Sequence, residues 1–148
     1  MRILALDLGS KRIGIAVSDA LGLTASGLKV LESRGRERDL QAIRELVDEY
    51  EVDEIVVGLP VNMNGTEGPL AEKAREFGRL LEITTKLPIH LWDERLSTTA
   101  ATRVLVEADL SRKKRKGVVD KVAAVIILSG YLQYRSMRAD KAPTEGAR

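Results

Sequence analysis

The sequence predicts an α/β domain on a mixed five-stranded sheet, and three observations predict it. Three strand-like apolar segments open the chain, within residues 2–31. Helical periodicity then alternates with two more short apolar strands. The length, 148 residues with 44% hydrophobic side chains, fits one compact domain with a core of its own. A meander followed by strand–helix–strand crossovers gives a sheet that begins antiparallel and continues parallel, with helices packed on its faces.

Each element has its own warrant. Residues 2–8 read as a buried strand and residues 12–19 as a second, joined by the tight connection Gly9-Ser10-Lys11. Gly9 suits the positive φ that such turns often need. Residues 24–31 form a third, weaker strand. The period then changes: Leu40, Ile43, Leu46, Val47 and Tyr50 share one helical face. Residues 53–58 make a short strand with a β-branched centre, leading into the loop from Leu59 to Gly65. Thr66 is the expected N-cap of a helix carrying Leu70, Ala74, Phe77 and Leu81. Residues 87–92 are the fifth strand. Ser97 or Thr98 caps a helix with Ala101, Val104, Leu105 and Ala108 on one side. Residues 118–135 form a last helix, apolar enough to pack deep against the sheet. Residues 138–148 are polar, with Pro143 and Gly146, and are expected to be a flexible tail beyond a single domain of residues 1–137.

Composition narrows the function. Net charge is only +2, yet Arg112-Lys113-Lys114-Arg115-Lys116 is an unbroken cationic run. Aromatic residues are scarce, so base stacking on an aromatic platform is not the expected binding mode. Without cysteine there are no disulfides or thiolate metal sites. No apolar run approaches the ~18 residues of a membrane span. Asp7 interrupts an opening apolar stretch already too short for a signal peptide. A cytoplasmic protein without membrane association is the expectation.

Three acids carry the chemistry. Asp7 ends the first apolar run, Glu94 follows a late one, and Asp120 opens the last helix just after the basic run. A carboxylate at the end of an apolar strand is costly to desolvate unless it meets solvent, a partner or a cation. Three of them from distant parts of the chain are best explained by one shared divalent metal. Each has a plainer alternative. Asp7 could accept from Gly9 N–H in a turn. Glu94 could pair with Arg95. Asp120 could simply favour a helix N-terminus. Strand alternation points Asp93 away from Glu94.

Taken together, the motifs resemble a known family. Asp7-Leu8-Gly9 with Gly14-Ile15-Ala16, Gly58-Leu59-Pro60 with Asn64-Gly65-Thr66-Glu67-Gly68, Asp93-Glu94-Arg95-Leu96-Ser97-Thr98 and Asp120-Lys121-Val122-Ala123-Ala124 occur in the order seen in the YqgF/RuvX family. Any one motif is weak, whereas the ordered set spans Arg2 to about Leu132. Proteins of this family are assigned as pre-16S rRNA nucleases or Holliday junction resolvases and are similar to RuvC. The resemblance implies a ribonuclease H-like fold, and Asp7, Glu94 and Asp120 as metal-binding catalytic acids for Mg²⁺ or Mn²⁺. By analogy Asp7 bridges two ions, with Glu94 on one and Asp120 on the other. One position departs: where RuvC-type resolvases carry a second acid one helical turn after the last, this chain has Ala123.

A nuclease must also hold phosphate, and cations cluster around these acids in sequence. Lys11 and Arg12 follow the Asp7 strand, Arg95 follows Glu94, and Arg112, Lys113, Arg115 and Lys116 precede Asp120. The guanidinium of Arg95 is suited to fork onto a phosphate. Asn64 lies in a loop leading to a helix N-terminus, which suits anions. For charge runs and Asn-Gly turns the plain reading is a solvated loop. His90, the only histidine, reads as a structural or surface residue rather than a general base, and Trp92 as core.

The leading expectation is a metal-dependent endonuclease on structured RNA, processing the 5′ end of pre-16S rRNA. Its partners would be ribosome precursor particles, and it would act as a monomer or weak homodimer. Resolution of branched DNA is the alternative, and a binding-only ribonuclease H-like module the second. An actin- or sugar-kinase-type phosphotransferase shares the Asp7-Leu8-Gly9-Ser10 signature but needs two such domains.

Overall fold

The computed structural model describes residues 1–96 and 118–141. Strands β1 (Ile3–Leu8), β2 (Arg12–Ser18), β3 (Ala25–Glu32), β4 (Glu54–Leu59) and β5 (Ile89–Asp93) form one sheet in the order β3-β2-β1-β4-β5. β2 pairs antiparallel with β1 and β3, while β4 pairs parallel with β1 and β5. The helices are α1 (Arg36–Glu49), α2 (Pro69–Thr85) and α3 (Val118–Lys141), and a 3₁₀ turn, Glu94–Leu96, follows β5. The mixed sheet is the one expected from the sequence. The expected helix around residues 98–108 and the basic run 112–116 lie outside the described residues.

Alternation along the central strands explains the layering. Leu4, Leu6, Ile55 and Val57 cluster with Ile43 and Leu46 of α1 and with Ala74, Phe77 and Leu81 of α2. Ile3, Ala5, Val56 and Trp92 cluster with Ala124, Ile127, Leu128 and Tyr131 of α3. Each central strand is therefore buried on both faces, which is why β1 and β4 read as nearly continuous apolar runs. Asp7 shares the strand parity of Ile3 and Ala5, so it belongs to the α3 face.

The direction of α3 matters most for the site. A Cβ built on Gly58, near the end of β4, would meet Ile127 Cδ1 at 2.5 Å. Glu54, at the start of β4, accepts a hydrogen bond from Tyr131 Oη at 3.1 Å. The helix thus runs antiparallel to β4, and its first turn lies at the carboxyl edge of the parallel strands. At about 1.5 Å per residue, Asp120 starts about 10 Å before Ile127. No helix among the described residues is long and apolar enough to cross a membrane.

Local details correct three expectations. Gly9 does not have a positive φ. It is required because a Cβ there would lie 2.8 Å from the Arg12 carbonyl oxygen, which accepts the Gly9 N–H at the same distance. Thr66 does not cap α2: the helix starts at Pro69 with Gly68 as N-cap. Thr66 instead closes a small hairpin, in which Asn62 N–H donates to the Thr66 carbonyl at 2.9 Å and Val61 bridges Glu67. Proline at the first helical position, with its φ preset and no N–H to satisfy, fixes the start two residues later than the side-chain pattern suggests. Finally, α3 extends past residue 135 to Lys141 and takes in the first residues of the expected tail.

Candidate functional site

Asp7 and Glu94 are positioned by adjacent parts of the sheet. Leu6 of β1 is in register with Val57 of β4, which sets Asp7 beside Gly58. Gly58 is in turn in register with Trp92 of β5. Two residues past Trp92, in the 3₁₀ turn, Glu94 returns to the same face: its Oε2 lies 3.0 Å from where a Gly58 Cβ would stand. Gly58 is therefore the floor between the two acids, and both carboxylates are half-buried. The sequence held this signal, since a glycine closing a β-branched strand marks close approach of another group. Gly58 was not among the site residues expected.

Asp120 stands in the first turn of α3, four residues before Ala124, which packs on the sheet. The antiparallel course of α3 brings that turn to the edge holding Asp7 and Glu94. The Asp120 side chain is outside the described residues. Among the described residues no group of three His, Cys, Asp or Glu side chains could hold a metal. Asp7 and Glu94 both border Gly58, and carboxylates are the hard oxygen donors that Mg²⁺ or Mn²⁺ requires.

Arg95 is committed to a neighbour. Its backbone N–H donates to Asp93 Oδ1 at 2.9 Å, and its guanidinium donates to both carboxylate oxygens, closest at 2.8 Å. The side-chain hydrogen bond from Arg95 holds the Asp93 carboxyl below the usual aspartate range against the opposing effect of burial. Arg95 Nη1 also donates to the Asn62 carbonyl at 3.4 Å. Asp93 and Arg95 therefore brace the turn that carries Glu94 and tie it to the loop after β4. The Arg95 guanidinium is thus turned back onto Asp93.

The other expected contacts divide. Lys11 and Arg12 are exposed on the β1–β2 turn, next to the end of β1. Lys73 of α2, which the sequence pattern did not single out, donates from Nζ to the Gly9 carbonyl at 3.4 Å and adds a third cation there. The Asn64 Oδ1 is occupied inside its own loop, accepting from Thr66 N–H at 3.1 Å and from Thr66 Oγ1 at 2.6 Å. Its loop does not itself cap a helix. Arg112, Lys113, Arg115 and Lys116 lie outside the described residues.

His90 belongs to the far end of the same face. Its Nε2 lies 2.5 Å from Glu54 Oε2, and the Glu54 side chain is only 6% exposed. Tyr131 donates to the same oxygen, and Arg135 Nη1 lies 3.6 Å from Oε1. Burial first, and then the charge of Glu54, push the Tyr131 hydroxyl well above the ordinary tyrosine range, so it stays a donor. His90 is structural, as its place inside a strand predicts.

Comparison with known proteins fits this geometry. The profile of the RuvX family, described as Holliday junction resolvase, matches residues 1–134. A protein of Halothermothrix orenii is 57% identical over 136 residues, covering 92% of this chain and 97% of that protein. One from a Geobacillus species is 60% identical over 135 residues, covering 89% and 97%. Both bear the name "Putative pre-16S rRNA nuclease". Among solved structures, Thermus thermophilus RuvC in complex with a Holliday junction substrate superposes with a TM-score of 0.67 at 16% identity, covering 93% of this chain and 96% of that one. The fowlpox virus Holliday junction resolvase gives 0.57 at 13%, covering 90% and 99%. At such identities these two likenesses speak for the fold alone, which is the ribonuclease H-like fold expected. With a family profile spanning nearly the whole described core and relatives above half identity, this chain belongs to the RuvX family.

Proposed function

We propose that the chain is a metal-dependent endonuclease that hydrolyses phosphodiester bonds in structured nucleic acid, and that its substrate is the 5′ end of pre-16S rRNA. The observation that supports this reading is that the register of β1 and β4 sets Asp7 beside Gly58, against which Glu94 Oε2 also lies, at the edge where α3 begins. Asp7, Glu94 and Asp120 would hold Mg²⁺ or Mn²⁺. Such ions, when bound, supply an activated water and stabilise charge on the scissile phosphate. The chain's own residues provide the rest. Asp7 is fixed on a strand buried on both faces. Glu94 is fixed by the turn that Asp93 and Arg95 brace. Gly58 keeps the space between the acids clear of a side chain. Lys11, Arg12 and Lys73 beside the end of β1, together with Arg112, Lys113, Arg115 and Lys116, which precede Asp120 in the sequence, would draw the polyanion towards the acids.

The choice of RNA follows from the name carried by close relatives and from Ala123, which leaves α3 with one acid in its first two turns where a resolvase has two. The family description and the Thermus RuvC complex favour the second reading, branched DNA. In the first reading the protein works in the cytoplasm on ribosome precursor particles, as a monomer or weak homodimer. The test is cleavage of fluorescent structured RNA and four-way DNA junctions with Mg²⁺, Mn²⁺ or EDTA. Metal-dependent RNA cleavage that is lost in Asp7→Ala is expected. Tight binding without cleavage would leave a binding module, and preferential junction cutting would reverse the choice of substrate. In cells, depletion should lengthen 16S rRNA 5′ ends.

A further inference from the structure

A groove of about 660 Å³ lies between β5 and α3, lined among others by His90, Trp92, Tyr131, Tyr134 and Arg138. Its size is that of a ligand site. Its lining is unusual for this chain. Trp92, Tyr131 and Tyr134 are three of the chain's five aromatic side chains (one Phe, one Trp, three Tyr), and His90 is its only histidine. Trp92 and Tyr131 are buried, while Tyr134 is 45% exposed. The Trp92 ring backs Tyr134 at a centroid distance of 5.5 Å, and the Arg138 guanidinium lies 5.6 Å over the Tyr134 ring. Tyr134 is thus an exposed ring backed by Trp92, with the Arg138 guanidinium over it.

Charge and position indicate what would lie there. The two carboxylates lining the groove are both matched within the protein, Glu54 by His90, Tyr131 and Arg135, and Asp93 by Arg95. Arg138 rests on a neutral ring. The exposed wall is therefore aromatic, aliphatic and cationic, with Leu91 at 38% and Leu96 at 67% exposure. One end of the groove, at Asp93 and Leu96, flanks Glu94, and the other follows α3 away from the acids. From Ile127 to Arg138 the helix advances about 16 Å.

We propose that this groove binds a single-stranded segment of the nucleic-acid substrate next to the scissile bond, with a base stacked on Tyr134 in place of the Arg138 guanidinium, which moves from the ring to a phosphate. Stacking on a side chain needs a free base face, which a duplex does not offer, and aromatic rings combined with guanidinium groups are the usual platform for single strands. The groove makes the substrate a junction between structured and single-stranded nucleic acid, cut where the strand leaves the structure. This rests on the nuclease reading for the identity of the strand but not for the binding itself.

The test is fluorescence anisotropy of labelled single-stranded RNA oligonucleotides and a matched hairpin without a tail, in EDTA so that no cleavage occurs. Tyr134→Ala should weaken single-strand binding roughly tenfold with the salt slope unchanged, and Tyr134→Trp should restore it. Arg138→Ala should lower the salt slope by about 0.7, the value of one phosphate on a single strand. An abasic oligonucleotide should erase the difference between wild type and Tyr134→Ala. Tyr134 and Arg138 are exposed, and thermal unfolding checks that the variants remain folded. The proposal is overturned if both variants bind the oligonucleotide like wild type, if the tailless hairpin is affected equally, or if they change only self-association. Wild type that binds through Tyr134 but never cleaves would end the nuclease reading and keep the groove. Cleavage with unaltered binding in both variants would do the reverse.

Discussion

The α3 face of the sheet carries glutamates at both ends, and they are built differently. Glu54 begins β4, is nearly inaccessible, and is surrounded by donors from β5 and α3: His90, Tyr131 and Arg135. Glu94 lies past the end of β5 and rests over a glycine, next to a second acid, Asp7. A buried carboxylate among protein donors fastens a helix to a sheet. A carboxylate gathered with another acid at a strand edge raises electrostatic energy that a bound cation would offset. The same residue type on the same face is fastened among donors at one end and, in the proposed function, holds a metal at the other, and the neighbours decide which.

The sharpest way to break this comparison is to neutralise an acid at each end. Asp7→Asn and Glu94→Gln should each lower cleavage by at least about 100-fold, as loss of a metal ligand or its support does, with thermal stability unchanged or raised. Glu54→Gln should do the opposite. It should cost about 1–3 kcal/mol in denaturant unfolding, through a buried hydrogen-bond network left imperfectly paired, with activity per folded molecule retained. It should also bring the Tyr131 hydroxyl back towards the ordinary range in an absorbance titration, because one of the charges raising it is gone.

Gly58→Ala sharpens the boundary between the two ends. Its methyl would collide with Ile127 Cδ1 and press on Glu94 Oε2, so about 1–3 kcal/mol of overpacking and a loss of activity are both expected. Adding Ile127→Val should recover part of the stability but not the activity, since Glu94 remains displaced. Recovery of both would mean that Gly58 serves packing alone.

The smallest effect is a pH effect. The Asp93 carboxyl is depressed by Arg95, so the pair contributes fully above the ordinary aspartate value and is lost only as pH falls through the lower folded value. The brace under Glu94 is therefore intact throughout neutral and mildly acidic solution. A carboxyl-carbon NMR titration should give Asp93 a midpoint below free aspartate, and Arg95→Gln should raise it.

Most of the fold could be read from the chain because its signals are local. The apolar runs of β1 and β4 and the helical stripe of α1 announce themselves by period, and the meander followed by crossovers implies a mixed sheet. Capping was less legible at Thr66, where a hairpin closed by Asn62 and Asn64 took the threonine before the helix could use it. In the site, Asp7 and Glu94 could be found because acids at strand ends are conspicuous. Gly58 was harder to find, because its role is the absence of a side chain where two acids meet. The bond between Arg95 and Asp93 was missed because adjacent charges in a sequence say nothing about which one turns back. The clustering of Trp92 with Tyr131 and Tyr134 depends on the pairing of β5 with α3 across the fold, so scarce aromatics looked dispersed.

The most direct measurement is a crystal structure of the protein soaked in Mn²⁺, read by anomalous scattering. Manganese bound by the carboxylates of Asp7 and Glu94, with Asp120 completing the site, is the expected result. Manganese absent from that edge, under conditions in which the same preparation cleaves RNA, would contradict the role given to these acids.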